Sequence, residues 1–239
     1  MASPERPTYT GNVSTGGPAD VRNLEGLRIS KLSVGPMDNN AYLLTCTATG
    51  DSLLIDAANE ADRILELTNG TSLRRVLTTH RHGDHWQALS EVVQRTGAAT
   101  SAHPLDSAEL AVPITQPVEH GDTVSVGHVT LRVIHLRGHT PGSIALLWDQ
   151  DGQQSHPSQD SGQLRPAAPP HLFTGDSLFP GGPGNTFGST ENFVSLMDDL
   201  EARVFADLPD DTWVYPGHGS DTTLGTERPH LAEWRARGW

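Results

Sequence analysis

Apolar residues in this chain gather in short runs bounded by Gly, Pro, Asn and Asp, the pattern of buried strands, with helical spacing in only a few places. Leu27 to Val34, Asn40 to Cys46 and Ser52 to Ile55 read as three early strands, separated by the turn residues Gly35-Pro36 and Gly50-Asp51. Glu60 to Leu67 reads as a helix. Arg75 to Thr79 is β-branched and apolar, a buried strand, and Trp86 to Arg95 carries helical spacing. A short strand follows near Ala98 to Ala102. Thr123 to Val126, Val129 to Leu136, Ser143 to Trp148 and His171 to Thr174 add four more strands, and Asn192 to Phe205 a helix. Thr212 to Tyr215 is a further strand and Pro229 to Arg237 a last helix. Grouped strands with helices between them favour a layered α/β arrangement over an all-β sandwich.

Two stretches lack this periodicity. Residues 1 to 23 are rich in Ser, Thr, Pro and Gly, and residues 150 to 170 are polar, with five glutamines and four prolines. The first is expected to be a disordered tail. The second lies between two predicted strands and reads as a mobile surface insertion, with His156 solvated inside it. Residues 24 to 239 are expected to form one domain, since no linker interrupts them.

Composition narrows the function classes. With 29 acidic and 16 basic residues the formal charge is −13, which opposes binding to a phosphate backbone, and no basic run offsets it. No apolar stretch is long enough to span a bilayer, and residues 1 to 17 lack the layout of a signal peptide. A cytoplasmic protein without nucleic-acid or membrane partners is the expectation. Cys46 is the single cysteine and reads as a buried strand residue, because one thiol can form neither an internal disulfide nor a Cys-rich zinc site. Lys31 is the only lysine, a bias that reads as base composition.

The candidate chemistry starts at His80-Arg81-His82-Gly83-Asp84-His85, which packs four metal-capable side chains into six residues. The run joins a predicted strand to a predicted helix. A bend at Gly83 would point His80 and His82 one way, and Asp84 and His85 another from the first helical turn. His139, in Gly138-His139-Thr140-Pro141-Gly142-Ser143, sits in a turn between two strands. Asp176 and His218 each follow a strand, in Thr174-Gly175-Asp176-Ser177 and Tyr215-Pro216-Gly217-His218-Gly219. Each alone could be a turn residue; their shared place at strand ends is what marks them. His80, His82 and His139 could make a three-nitrogen site, and Asp84, His85 and His218 a second, with Asp176 bridging. Imidazole and carboxylate without thiolate suit zinc, iron or manganese, with room left for water. Two such cations would lower the pKa of bound water from about 15.7 toward about 7, which suits acyl-transfer hydrolysis.

Those stretches, in that order, resemble the metallo-β-lactamase superfamily, and within it the glyoxalase II, or hydroxyacylglutathione hydrolase, group. The matching segments are Thr79 to His85, Gly138 to Ser143, Phe173 to Phe179 and Tyr215 to Gly219, supported by Pro36 to Tyr42 and Asp221 to Gly225. The resemblance runs from about Leu27 onward. It implies an αββα four-layer sandwich with mixed sheets and two divalent metal ions, zinc above iron or manganese, at one edge. It also implies the ligand set given above, Asp176 as the bridge, a metal-bound hydroxide as nucleophile, and Asp84 as the catalytic residue that helps orient it. The expected substrate is a small acyl-thiol or related ester.

One segment departs from the group. Where glyoxalase II enzymes carry a Gly-Gly-Cys-Gly-Arg-like loop that holds the thiol portion, this chain reads Gly181-Gly182-Pro183-Gly184-Asn185-Thr186. An amide cannot reproduce the bidentate fork of a guanidinium, so glutathione recognition in the group's manner is not expected. Longer glyoxalase II enzymes draw basic thiol-binding residues from a C-terminal helical domain, and with about twenty residues after His218 those contacts are not expected here. Asn185 and Trp86 are candidate substrate contacts, Trp86 as a pocket wall or helix contact. Asp56 could orient the His-rich turn or cap a helix, and Thr79 and Thr140 could hydrogen-bond ligands. His103, His120, His128, His135 and His230 match no ligand position. Three functions remain: a dinuclear acyl-thiol or ester hydrolase, with a lactonase as its close variant; an enzyme of the persulfide dioxygenase type with one iron on His80, His139 and Asp176; and a metal-binding protein without turnover, against which the intact Asp84 speaks. Exported β-lactamase activity is not expected.

Overall fold

The computed structural model describes residues 8–150 and 168–238. Two six-stranded sheets form the centre. The first runs β1 (Asp20–Asn23), β2 (Leu27–Val34), β3 (Asn39–Cys46), β4 (Asp51–Ile55), β5 (Ser72–Leu77) and β6 (Ala99–Ser101) in sequence order. Its first four strands are antiparallel, whereas β4, β5 and β6 are parallel because helices α1 (Ala61–Leu67) and α2 (Leu89–Thr96) cross between them. A short helix, α3 (Pro104–Ser107), follows.

The second sheet is built from β7 (Thr123–Val126), β8 (Val129–His135), β9 (Ile144–Trp148), β10 (His171–Gly175), and, beyond a small β11 (Leu178–Phe179) and β12 (Gly182–Pro183) ribbon, β13 (Trp213–Pro216) and β14 (Thr222–Thr223). Its order is β14-β13-β10-β9-β8-β7. Only β10 and β13 are parallel, the crossover between them carrying α4 (Thr190–Leu200), which continues into a π turn over Glu201–Phe205. Helices α5 (Leu224–Glu227) and α6 (Leu231–Arg237) close the described chain.

Strand periodicity builds the layers. In β3, Tyr42 and Leu44 face a core shared by the two sheets, and Ala41 and Leu43 face a second core beneath Ile64 of α1 and Leu89 and Val92 of α2. In β9, Ile144, Leu146 and Trp148 point into the shared core, and Ala145 and Leu147 meet Phe193, Leu196, Met197 and Leu200 of α4. Three apolar layers between helix, sheet, sheet and helix make the expected αββα sandwich with two mixed sheets. Strands apolar on both faces are what such burial requires, which is why they read as continuous runs and not as alternations.

The expectation for residues 1 to 23 needs correction. Residues 1–7 lie outside the described residues, but β1 pairs with β2, and the Asp20 carboxylate accepts from Thr10 N, Thr10 Oγ1 and Gly11 N at 2.8, 2.9 and 3.0 Å. Tyr9 donates its hydroxyl to Asp221 Oδ2 at 2.6 Å, closing a loop across almost the whole chain. Polar composition is compatible with order here because tertiary partners satisfy the backbone. Of the expected insertion, 151–167, with His156, lie outside the described residues. No described helix is long and apolar enough to cross a membrane.

Candidate metal centre

All seven candidate ligands lie at one end of the sandwich, for a topological reason. Parallel neighbours β10 and β13 end side by side and deliver Asp176 and His218 together. β9 is antiparallel to both β8 and β10, so the turn carrying His139 falls at the same end. In the other sheet β5 leads into His80, and the sheets are joined there by hydrogen bonds from Ile144 N to Thr79 O (3.0 Å) and from Asn40 N to Gly217 O (2.7 Å).

The His-rich turn is not the start of α2. His82 is extended, and Gly83–His85 forms a separate 3-10 turn that presents Asp84 and His85. Gly83 has no left-handed φ, and a Cβ on it would meet only Trp86 at 4.0 Å, so the bend does not depend on glycine as the sequence suggests. The indispensable glycines lie opposite. Gly175 has φ +48° and a Cβ there would stand 2.7 Å from Thr79 Oγ1; one on Gly217 would stand 2.1 Å from Asp176 Oδ1.

Two ligand groups face each other. His139 Nε2 stands 2.9 Å from His82 Nδ1 and 3.2 Å from His80 Nε2. In the second group, Asp84 Oδ2 is 3.3 Å from His218 Nε2 and 3.6 Å from His85 Nε2, and those two nitrogens are 3.2 Å apart. Asp176 reaches both, with Oδ1 3.3 Å from His85 Nε2, and Oδ2 3.4 Å from His218 Nε2 and 3.7 Å from His139 Nε2. Ligands about 2.0–2.1 Å from a tetrahedral ion stand about 3.3–3.4 Å from each other, so these spacings suit first-row divalent cations.

The far nitrogens decide which atoms face inward. His85 Nδ1 lies 2.8 Å from Asp56 Oδ2, His139 Nδ1 2.8 Å from Asn185 O, and His218 Nδ1 2.9 Å from Met37 O. A carboxylate or carbonyl only accepts, so each Nδ1 carries hydrogen and a neutral ring turns its Nε2 lone pair inward. Thr79 Oγ1 gives its proton to Asp56 Oδ2 (2.8 Å) and can accept from His80 Nδ1 at 3.1 Å, fixing His80 the same way. The His85 and His218 lone pairs then oppose each other at 3.2 Å, an arrangement that demands a proton or a cation between them. Asp176 Oδ1, buried and without a hydrogen-bond donor, makes the same demand.

A sequence profile described as the metallo-beta-lactamase superfamily matches residues 34–152. The solved structure of ETHE1 from Myxococcus xanthus is 30% identical, with a TM-score of 0.68 over 85% of this chain and 82% of that one. The chain belongs to the metallo-β-lactamase superfamily. A hydroxyacylglutathione hydrolase of Polaromonas sp. is 34% identical over 75% of this chain, which spans 62% of that relative's length. TTHA1623, solved in a di-iron-bound form, is 29% identical with a TM-score of 0.62, covering 83% of this chain and 96% of that one. The histidine and aspartate groups are consistent with the two-metal site of the metallo-β-lactamase fold.

Within this metallo-β-lactamase frame the two groups differ in charge. Burial lowers the His80, His82 and His139 imidazoles, leaving the first group neutral. His85 is raised well above its ordinary value: burial acts to lower it, but the Asp176 and Asp56 carboxylates overcome burial. For His218, burial is likewise outweighed by hydrogen bonds to Asp176 and Asp84, and the imidazole is pushed up to about 10. Asp176 lies well below the carboxylate range although burial opposes this, because the His85 charge and a His218 hydrogen bond favour its anion. Asp84 is lowered too, first by its hydrogen bond from His218.

Ligating nitrogens must be unprotonated, so metal uptake by the second group displaces these protons. At about pH 7.5, below the His218 value of about 10, zinc binding to the metal-free protein is expected to release protons, and affinity to climb as pH rises. Titration calorimetry in two buffers of different ionisation heat checks this; heats identical in both would contradict it.

At several residues the structure decides between the alternatives that the sequence leaves open. Asp56, in the left-handed region at φ 57°, does not cap α1, whose N-cap is Glu60; its carboxylate holds Thr79 and His85. Thr79 bonds the candidate ligand His80 as expected, but Thr140 bonds none, since its hydroxyl is spent on Asp106 at 2.5 Å and Ser143 at 2.6 Å. Trp86 gives its indole N–H to Arg81 O at 2.8 Å and packs against the α1–α2 core, bracing the turn. Asn185 acts through its backbone carbonyl on His139, while its side-chain oxygen accepts from Phe187 N at 2.7 Å.

Three residues escape sequence reasoning. Asn39 donates to Asp84 Oδ2 at 2.9 Å. Buried Asp106 accepts from Arg81 N (3.0 Å), Thr140 Oγ1 and Gly142 N (2.9 Å), clamping the two loops that supply the three-nitrogen group. Phe187 is 67% exposed, its ring centroid 5.5 Å from that of His82 and 5.8 Å from that of His139. Their signals in sequence are ordinary residue types, with the Asn39 segment alone falling inside a family-like stretch.

Proposed function

We propose that this protein is a metal-dependent hydrolase that cleaves a small acyl-thiol, or a related ester, at a two-cation site. The observation behind this reading is that inward Nε2 lone pairs, set by protonated far nitrogens, oppose each other in two adjacent groups, with Asp176 Oδ2 addressing His218 and His139 at once. His80, His82 and His139 would hold one cation, Asp84, His85 and His218 the other, and Asp176 both. When bound, such cations polarise a carbonyl and acidify water. The chain's own part is orientation. Asp56, Asn185 O, Met37 O and Thr79 fix the rings, and Asn39 holds Asp84 Oδ2 at the second group's edge.

The rim supports a substrate other than a glutathione thioester. Exposed Phe187 stands beside the first group, and the His218 ring of the second neighbours Phe179 at 6.3 Å. These flanks are apolar, and the exposed Asn185 turns its amide oxygen back into its own loop. An acyl-thiol with an apolar acyl or thiol portion fits such a rim better than an anionic tripeptide.

A second reading has its own support: His80, His139 and Asp176 form a two-histidine, one-carboxylate set within the larger cluster, the type that holds a single iron for oxygen chemistry. One experiment separates the two. Zinc-loaded protein is expected to hydrolyse uncharged short-chain acyl-thiols with kcat/KM above about 10⁴ M⁻¹s⁻¹, to prefer them over S-lactoylglutathione, and to lose activity on chelation. Thiol-dependent oxygen uptake with one iron per chain, and no hydrolysis across thioesters and lactones, would replace the first reading with the second.

A further inference from the structure

Lys31 is the only lysine of the chain, and its side chain is completely buried in β2. A buried ammonium is tolerated when each of its three N–H groups finds an acceptor. Here they are Gly11 O at 2.6 Å, Gly219 O at 2.7 Å and Asp221 Oδ1 at 2.6 Å. Two of the three belong to the loop directly after His218, and the third to the segment before β1. The other Asp221 oxygen accepts from Tyr9 Oη at 2.6 Å and Trp213 Nε1 at 3.0 Å, so the pair ties the N-terminal segment, β2 and both ends of the His218 hairpin to one point. The joint is tight, since a Cβ on Gly11 would lie 2.6 Å from Asp221 Oδ2. Gly219 O also receives Asn40 Nδ2 at 2.9 Å, which fixes the peptide next to His218 from a second side.

We propose that Lys31 is a positioning residue: by holding the Gly219 peptide and Asp221, its ammonium aims the His218 imidazole at Asp84 and Asp176 and thereby sets the affinity of the second cation. It touches neither substrate nor cation. The proposal rests on the two-cation reading of the site. An arginine, the residue this chain uses elsewhere for positive charge, would keep the charge, but its planar fork cannot direct three N–H groups to the same three acceptors.

The test uses full-length wild type, Lys31→Arg and Lys31→Met. The second zinc ion is expected to bind about 10- to 100-fold more weakly in both variants, as when ligand-orienting partners are lost, with the first unchanged. In the metal-free proteins, ¹⁵N-resolved imidazole spectra should show the His218 resonances displaced and those of His80, His82 and His139 in place, a readout that general destabilisation would not single out. If Lys31→Met fails to fold, Lys31→Arg decides. A folded variant with the wild-type second affinity and unmoved His218 resonances overturns the proposal while leaving the two-cation site intact. Wild type that binds fewer than two zinc ions overturns the site reading instead, and unmoved His218 resonances would then overturn the positioning role separately.

Discussion

Asp176→Asn is expected to bind no pair of cations. The substitution keeps the shape of the side chain and removes the one charge that both ligand groups share, since Oδ1 faces His85 at 3.3 Å and Oδ2 faces His218 at 3.4 Å and His139 at 3.7 Å. Breaking a buried charge pair from one side costs about 3–5 kcal/mol, which converts to roughly 100- to 4,000-fold in affinity at about 1.4 kcal/mol per decade. Elemental analysis after loading at micromolar zinc should therefore fall from two ions per chain to one or none. The same change takes away the partner that raises His85 and His218, so proton release on metal uptake should shrink with it. Full stoichiometry in the variant would remove Asp176 from the bridging position.

Asp84→Asn is the second large effect, and it separates binding from turnover. Asp84 sits at the rim, with its side chain 18% accessible, so the fold should tolerate the amide with little change in melting temperature. What is lost is the charge on Oδ2, the atom that meets His218 and His85 and accepts from Asn39. An amide can still accept from Asn39 but is a poor ligand and cannot balance a cation. Because the reacting groups must be placed to within about 1 Å, turnover should fall by at least roughly 10²-fold, with the three-nitrogen group still loaded. Near-normal rates would leave Asp84 without its role.

Much of the fold is legible in the amino-acid sequence. β2 runs over Leu27–Val34 as its apolar pattern predicts, and β3 and β9 differ from expectation by a single residue at one end, because strands buried on both faces announce themselves as uninterrupted apolar runs closed by turn residues. The candidate ligands are legible for another reason. Histidines and aspartates placed directly after such strands have few structural uses in that density, and the parallel pairing of β10 with β13 then brings Asp176 and His218 together.

What local pattern could not reach is defined by distant partners. The segment from Tyr9 to Asp20 reads as a polar tail, and its order comes from Asp221, 212 positions from Tyr9. Asp106 is an unremarkable acid in a four-residue helix until Arg81 N, Thr140 and Gly142 N converge on it. Lys31 reads as composition and is in fact the buried cation beneath the His218 loop. At Asn185 the sequence singles out the side chain, and the backbone carbonyl adds a contact to His139 that no residue type announces.

Anomalous diffraction at the zinc edge, from crystals of the zinc-loaded protein, would show whether seven side chains grip two cations between the sheets. Two peaks about 3.5–4 Å apart are expected, each ligand atom about 2.0–2.2 Å from its own ion: His80 Nε2, His82 Nδ1 and His139 Nε2 around one, Asp84 Oδ2, His85 Nε2 and His218 Nε2 around the other, with Asp176 reaching both. Fully loaded crystals with a peak at only one group, or with zinc bound away from these residues, would contradict it.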